Sequence, residues 1–299
     1  MDLPRVTIPP AQAHTHTVIF LHARGDTPRT LSAVLTYTTD SRDWSLVQNY
    51  PSFRWVFPGA GVSPSAAATT TTNTGSRPAD DVLLPPPQSQ WFDVYDEKEL
   101  ADREEVQVEG LRASVAALRR VVAEEAARLG GRWDRVVLAG VGQGAAAALH
   151  TLINLEVQGG GDGMAGGDRP RPRRLGAVLG FSCGMPLMGR SLADTRAVLG
   201  LEKVPQDDEV IRGTPILLEH CIDDGIVSVD SGRQLRDQLR SWSAQVTWRE
   251  YASGGHWIHA PKGMDDVREF VLEALGVSTP RIARLSVESG VGLIHAGFR

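Results

Sequence analysis

Residues 135–149, Arg135-Val-Val-Leu-Ala-Gly-Val-Gly-Gln-Gly-Ala-Ala-Ala-Ala-Leu149, decide how this chain is read. Val136 to Ala139 is a short apolar run of the kind that forms a strand buried on both faces. Gly140, Gly142 and Gly144 then make a corner, and Ala145 to Ala148 open a helix with small side chains. A strand and a helix packed across so sharp a turn leave no room for a Cβ at the flanking positions, and glycine meets that demand. The spacing is that of a G-x-S-x-G corner with Gly142 where the serine would stand. The middle residue of such a corner holds a strained backbone that glycine adopts more easily than serine. Gly142 therefore suits the turn while removing a hydroxyl.

The same letters, Gly140-x-Gly142-x-x-Ala145, also fit a dinucleotide fingerprint. That motif belongs to the first βαβ unit, with an acidic residue about 20 positions on at the end of a second strand. Here it lies mid-chain and leads into a Gly-rich stretch, which argues against a nucleotide.

Working outward, the apolar runs predict strands at 17–22, 53–57, 136–140, 176–181, 215–220 and 246–251, with helices between several of them. That alternation implies an α/β fold, a mainly parallel sheet covered on both faces. Residues 1–16 read as an extended arm, and Leu31 to Tyr50 as partly helical. Asp96 to Arg128 reads as a helix with Leu111, Val115, Leu118, Val122 and Leu129 on one stripe and Arg112, Arg119, Arg120, Glu124 and Glu125 off it. Further helices are expected at Ala145–Val157, Ser231–Ser241 and Asp265–Leu275. Residues 62–81 are polar and low in complexity, the composition of a disordered loop. Residues 158–174, rich in Gly, Arg and Pro, read as a surface insertion. The expectation is one domain over 1–275 and a tail over 276–299.

The 299 residues are 41% hydrophobic and 22% charged, with a net charge of −5, so there is no electrostatic case for nucleic acid. No apolar run is long enough to span a bilayer, and the first ten residues lack the basic and apolar regions of a signal peptide. The two cysteines, Cys183 and Cys221, do not make a disulfide framework and read as buried thiols in a reducing cytoplasm.

Ligands on parallel sheets bind at the carboxyl ends of the strands. His22 to Asp26, the 140–144 corner, Ser182, Asp223 with Asp224, and His256 all fall there. The order is nucleophile position, acid, then histidine, which is the order of the α/β-hydrolase fold. Gly180-Phe-Ser-Cys-Gly184 matches G-x-S-x-G letter for letter, but Pro186 follows where a helix of small residues should begin. Ser182 reads first as a serine at a strand end and second as a nucleophile. Trp91 and Phe92 either pack or line a substrate groove. His22 reads as a histidine that holds its own turn.

These pieces together resemble the phospholipase/carboxylesterase group that includes the acyl-protein thioesterases, in particular its fungal members. The resemblance rests on Thr17-Val-Ile-Phe-Leu-His-Ala-Arg-Gly-Asp26, Trp55-Val-Phe-Pro58, Gln90-Trp-Phe-Asp93, Gly140-Val-Gly-Gln-Gly144, Ser182-Cys-x-x-Pro186, His220-x-x-x-Asp224-x-x-Val227 and Gly255-His-Trp257. It implies Asp224 as triad acid, His256 as triad base, and backbone N–H groups of Arg24 and Gln143 as oxyanion donors. It also implies hydrolysis of acyl esters or thioesters, such as S-acylated proteins or lysophospholipids, in the cytoplasm, without stable membrane insertion and with no metal or cofactor. Three positions depart from the pattern: Gly142 for serine, Ala23 for glycine and Gly184 for tryptophan. Loss of the hydroxyl leaves three readings. The chain is a pseudoenzyme that binds acyl chains or acylated partners; it is a hydrolase that uses Ser182 or water activated by His256; or Gly142 is an engineered or erroneous substitution in an otherwise ordinary esterase.

Overall fold

Val136–Val141 lies at the centre of a seven-stranded sheet. The computed structural model describes residues 3–63, 88–96, 100–157 and 172–277. In chain order the strands are β1 (Arg5–Ile8), β2 (His16–Leu21), β3 (Phe53–Pro58), β4 (Gly61–Ser63), β5 (Gln88–Gln90), β6 (Val136–Val141), β7 (Ala177–Phe181), β8 (Ile216–Cys221) and β9 (Val246–Tyr251). The helices are α1 (Pro28–Tyr37), α2 (Leu46–Asn49), α3 (Glu105–Arg128), α4 (Gln143–Ile153), α5 (Leu192–Leu199), α6 (Glu209–Gly213), α7 (Val229–Ser241) and α8 (Lys262–Leu275). The sheet runs β1-β3-β2-β6-β7-β8-β9, parallel throughout except for β1. This is the α/β-hydrolase arrangement expected from the sequence.

All six residues of β2 and of β6 are buried, because helices cover both faces. Along β6, Val136 and Leu138 enter one core and Val137, Ala139 and Val141 the other. The first core joins α3, α4, α5 and α7 to the sheet, and the second joins α1, α2 and α8. From Gly144 to Ile153 every residue of α4 is buried. A run of alanines suits that position, since small side chains let α3 and the sheet close on the helix from opposite sides.

The structure departs from expectation in several places. Part of the N-terminal arm is strand β1, which pairs antiparallel with β3 from Arg5 opposite Pro58 to Ile8 opposite Trp55. The long helix begins at Glu105, not at Asp96. Gly61–Ser63 pairs with Gln88–Gln90, so residues 62 and 63 of the expected loop are strand. The rest of that loop, residues 158–171 of the insertion and residues 278–299 of the tail lie outside the described residues. Helices α5 and α6 had no sequence assignment. Glu125, placed by pattern on the solvent side of its helix, is fully buried: Arg54 Nε lies 3.2 Å from Oε2, and the Thr17 hydroxyl donates to the same oxygen. Helical pattern scores a carboxylate as exposed, and only the fold supplies a cation from β3. No helix among the described residues is long and apolar enough to cross a membrane.

Candidate active site

The turn after β6 has the shape the glycines demand. A Cβ on Gly140 would stand 2.5 Å from Ala145 N, and one on Gly144 2.5 Å from the carbonyl oxygens of Leu21 and His22. These contacts are with backbone, so neither position tolerates a side chain. Gly142 holds φ +53° and ψ −119°, a conformation that costs an L-residue about 1–3 kcal/mol. The first bond of α4 follows at once, from Ala146 N–H to the Gly142 carbonyl at 3.2 Å.

Two loops bring a histidine to this corner. After β8 the chain turns back, with Asp224 N–H on the Cys221 carbonyl. Asp224 Oδ1 accepts the N–H groups of Ile226 (2.9 Å) and Val227 (3.0 Å), which fixes its side chain in the turn. Its Oδ2 lies 2.9 Å from His256 Nδ1 and 3.3 Å from His220 Nε2. Burial favours the neutral acid, but the hydrogen bonds from His220, His256 and the Ile226 N–H outweigh it and hold the Asp224 carboxyl well below the usual carboxylate range. Asp224 is therefore an acceptor at neutral pH. Nδ1 of His256 is the donor to it, which leaves Nε2 as the ring nitrogen on the Gly142 side. The neighbouring Asp223 has a different task. Its carboxylate accepts the N–H groups of Gly254 (3.2 Å) and Gly255 (2.8 Å), anchoring the loop that presents His256.

The imidazole reaches Gly142. A Cβ there would stand 2.7 Å from His256 Nε2 and 3.2 Å from Cε1. Both residues line one cleft of about 530 Å³, open solvent at its mouth included. Phe92, Val94, Leu100, Ala146, Ile226 and Val227 give it an apolar wall, and Arg24 and Gln143 line it too. Gln143 is the first residue of α4, so its N–H has no partner within the helix, and the positive end of the helix dipole lies at the cleft. Gly184 enlarges the space: a Cβ there would stand 3.1 Å from Leu100 Cδ1 and 3.7 Å from Val227 Cγ1.

The sequence-predicted residues divide into two groups. Arg24, Gly142, Gln143 and His256 line the cleft, with Asp224 directly behind His256. Trp91 and Ser182 do not line it. Trp91 is buried under the loop after β2, its indole N–H donating to the His22 carbonyl at 2.9 Å, and it is Phe92 that faces the cleft. Ser182 is fully buried, and its hydroxyl donates to the Trp257 carbonyl at 3.2 Å. His22 is buried too. Its Nε2 accepts the Ala60 N–H at 3.1 Å, so Nδ1 is the donor to the Ala23 carbonyl at 2.7 Å. Burial lowers its pKa and keeps the ring neutral.

Sequence reasoning missed what the Gln143 side chain does. Its Oε1 accepts the Trp91 N–H and its Nε2 donates to the Phe92 carbonyl, both at 2.7 Å. A residue that lines the cleft thus also clamps the segment that delivers Phe92. The Arg24 side chain supports the same segment from the other side, with Nε on Gln90 Oε1 at 3.0 Å. Nothing in the sequence signals these contacts, which join positions 52 and 66 residues apart.

Known proteins resemble this chain over most of its length. The family described as Phospholipase/Carboxylesterase matches residues 4–275. Acyl-protein thioesterase 1 of Gibberella zeae is 25% identical over 274 residues, covering 90% of this chain and 95% of the relative. Acyl-protein thioesterase 1 of Schizosaccharomyces pombe is 28% identical over 263 residues, covering 88% and 92%. Among solved structures, Zea mays acyl-protein thioesterase 2 superposes with a TM-score of 0.64 at 24% identity, covering 91% of this chain and 99% of the other.

Proposed function

The chain belongs to the phospholipase/carboxylesterase family, and we propose that it binds acyl esters and thioesters but has lost its hydroxyl-based route of hydrolysis. One observation carries this reading: an intact Asp224–His256 pair is aimed at Gly142, which offers no atom to acylate. In a serine hydrolase the imidazole takes the serine proton, the carboxylate orients the ring, and N–H donors meet the developing oxyanion. His256, Asp224, and the N–H groups of Arg24 and Gln143 stand in those roles here. Without a hydroxyl, deletion of the nucleophile costs on the order of 10⁶ in kcat, while binding and the oxyanion site retain some rate.

The apolar wall of the cleft supports an acyl chain as the group bound. The names of the relatives make S-acylated proteins the first substrates to try, and the family description, Phospholipase/Carboxylesterase, makes lysophospholipids our second. Two buried free thiols fit a cytoplasmic setting. The reading needs no metal or cofactor. Ser182 gains no support as a substitute nucleophile, because its hydroxyl is buried and committed to a carbonyl.

The test is hydrolysis of short p-nitrophenyl esters by the protein and by Gly142→Ser, each with and without His256→Ala. The expected result is a large gain on Gly142→Ser that depends on His256. Equal rates with and without the serine, or a gain indifferent to His256, would overturn the reading.

A further inference from the structure

The imidazole of His256 does not merely face an empty place; it stands in it. A Cβ on residue 142 would be closer to Nε2 than packed atoms approach, with the Ala23 methyl on another side at 3.8 Å. No side chain at 142 therefore separates the ring from the cleft that both residues line. Nδ1 is committed to Asp224 at 2.9 Å, so the Nε2 lone pair is the end of the ring that points at the vacated position. Arg24 and Gln143 line the same cleft.

We infer that His256 Nε2 is itself the nucleophile of this protein, taking the acyl group from thioesters. This rests on the reading above that the cleft receives acyl substrates. Imidazole is a competent acyl acceptor, and what ordinarily keeps a catalytic histidine from attacking is the serine held between it and the carbonyl. In the step proposed, the Nε2 pair attacks the acyl carbon and an N–C bond forms. The C–S bond then breaks, and its electron pair leaves on sulfur as a thiolate. The resulting acyl-imidazolium keeps its Nδ1 proton against the Asp224 carboxylate. Water then adds to the acyl carbon, the N–C bond breaks, and its pair returns to nitrogen. Of the two protons from water, one neutralises the thiolate and one is released with the carboxylate product.

Leaving-group basicity makes the route selective. Imidazole expels a thiolate, whose conjugate thiol has a pKa of about 8.5, or an aryl oxide. It does not expel an alkoxide, which is far more basic than imidazole and is itself the better nucleophile. A serine route or a water route has no such restriction. The protein is thus expected to be a thioester-selective enzyme within an esterase scaffold.

The experiment uses the octanoyl thioester of N-acetylcysteamine and ethyl octanoate. The unmodified protein should favour the thioester in kcat/KM by about 100-fold or more, and rapid quench with mass spectrometry should find an octanoyl adduct on His256 that decays in water. Gly142→Ser should move the adduct to the introduced hydroxyl and bring the two substrates within about tenfold of each other. His256→Ala should abolish both adduct and turnover, with its thermal unfolding curve reporting that it is folded. Gly142→Ala supplies a second probe: its methyl displaces the ring without offering oxygen, so the adduct should vanish.

Turnover that needs His256 but leaves no adduct, with ethyl ester cleaved in step with thioester, would mean activated water and would overturn the inference. An adduct on Ser182 would overturn it as well. Binding of the thioether analogue by calorimetry with no turnover would refute the imidazole step while leaving acyl recognition standing. Failure to bind the analogue at all would refute the functional reading beneath it.

Discussion

Two stretches of this chain carry nearly the same letters and do different things. Gly140–Gly144 lacks the serine of the G-x-S-x-G pattern, and Gly180–Gly184 has it. Both follow neighbouring parallel strands, β6 and β7, and both put their middle residue at positive φ, +53° at Gly142 and +49° at Ser182. The difference lies in what comes next. After Gly142 a helix starts immediately, bringing its free N-terminal N–H and its dipole to the cleft. After Ser182 the chain runs through Cys183, Gly184 and Pro186 and reaches no helix until Leu192. Ser182 is left buried, with its hydroxyl on the Trp257 carbonyl. The corner without a serine has a helix N-terminus and a histidine beside it, and the corner with a serine has neither at its hydroxyl. Reactivity at such a turn belongs to the helix and the histidine around it more than to the residue itself.

The comparison breaks most visibly at position 142. Gly142→Ser should raise kcat for p-nitrophenyl esters by about 10³-fold or more, a part of the factor of about 10⁶ that deletion of a nucleophile costs. The new Cβ requires the His256 ring to retreat by several tenths of an ångström, which the far end of a side chain can do. In that background Asp224→Asn should lower kcat by about 10⁴, because the amide favours the wrong tautomer of the imidazole. A rate on Gly142→Ser no better than that of the parent would mean that the surroundings of the corner are not competent after all.

The next effect concerns the bond between the two corners. His150, on the helix that opens at Gln143, is fully buried and donates from Nε2 to the carbonyl of Pro186 at 3.2 Å. Burial drives its pKa from 6.5 down to about 4. The unfolded chain therefore binds a proton that the folded chain refuses. Stability from this residue is complete above pH 6.5 and falls as the pH drops towards 4, by on the order of 3 kcal/mol. His16, pushed down to about 4 by burial, adds a loss of the same sign. Asp224 acts in a separate window, since a depressed carboxylate loses its contribution only below about pH 4. Urea unfolding at pH 7, 5.5 and 4.5 should show the decline. His150→Gln, which cannot titrate but can still donate to Pro186, should flatten part of it.

Smaller changes sharpen the contrast. Gln143→Ala removes both bonds to the 91–92 segment and should raise KM for acyl substrates several-fold in the Gly142→Ser background, with kcat less affected. Equal loss in kcat would assign the side chain a role in the reaction itself. Ser182→Ala should leave activity within about twofold and cost about 1 kcal/mol in urea, the worth of one buried hydrogen bond. A larger loss of activity than of stability would return Ser182 to consideration as a nucleophile.

Much of this was legible in the chain alone. The six parallel strands are apolar runs with glycine or polar ends, and each lies within a residue or two of its expected span. Strand β1 escaped because a short edge strand needs only one buried face and leaves little pattern in Arg5-Val-Thr-Ile8. Glu125 escaped because burial of a carboxylate depends on a cation from elsewhere, here Arg54. Trp91 and Phe92 lie in a bend after β5, where no strand alternation assigns them sides, and sequence could not say which one lines the cleft.

By itself the sequence determined the scaffold, the position of the corner and the absence of a hydroxyl there. These follow from steric rules that act over a few residues: what a sharp turn admits, what a buried strand must be made of, which atoms a side chain carries. Tertiary structure alone decided that His256 Nε2 lies where a side chain on residue 142 would begin, that Asp224 grips the ring while Asp223 grips its loop, and that Gln143 clamps Phe92. Each of these joins segments that are distant in the chain, and the distances and angles of such contacts are fixed only when the sheet brings its strand ends together.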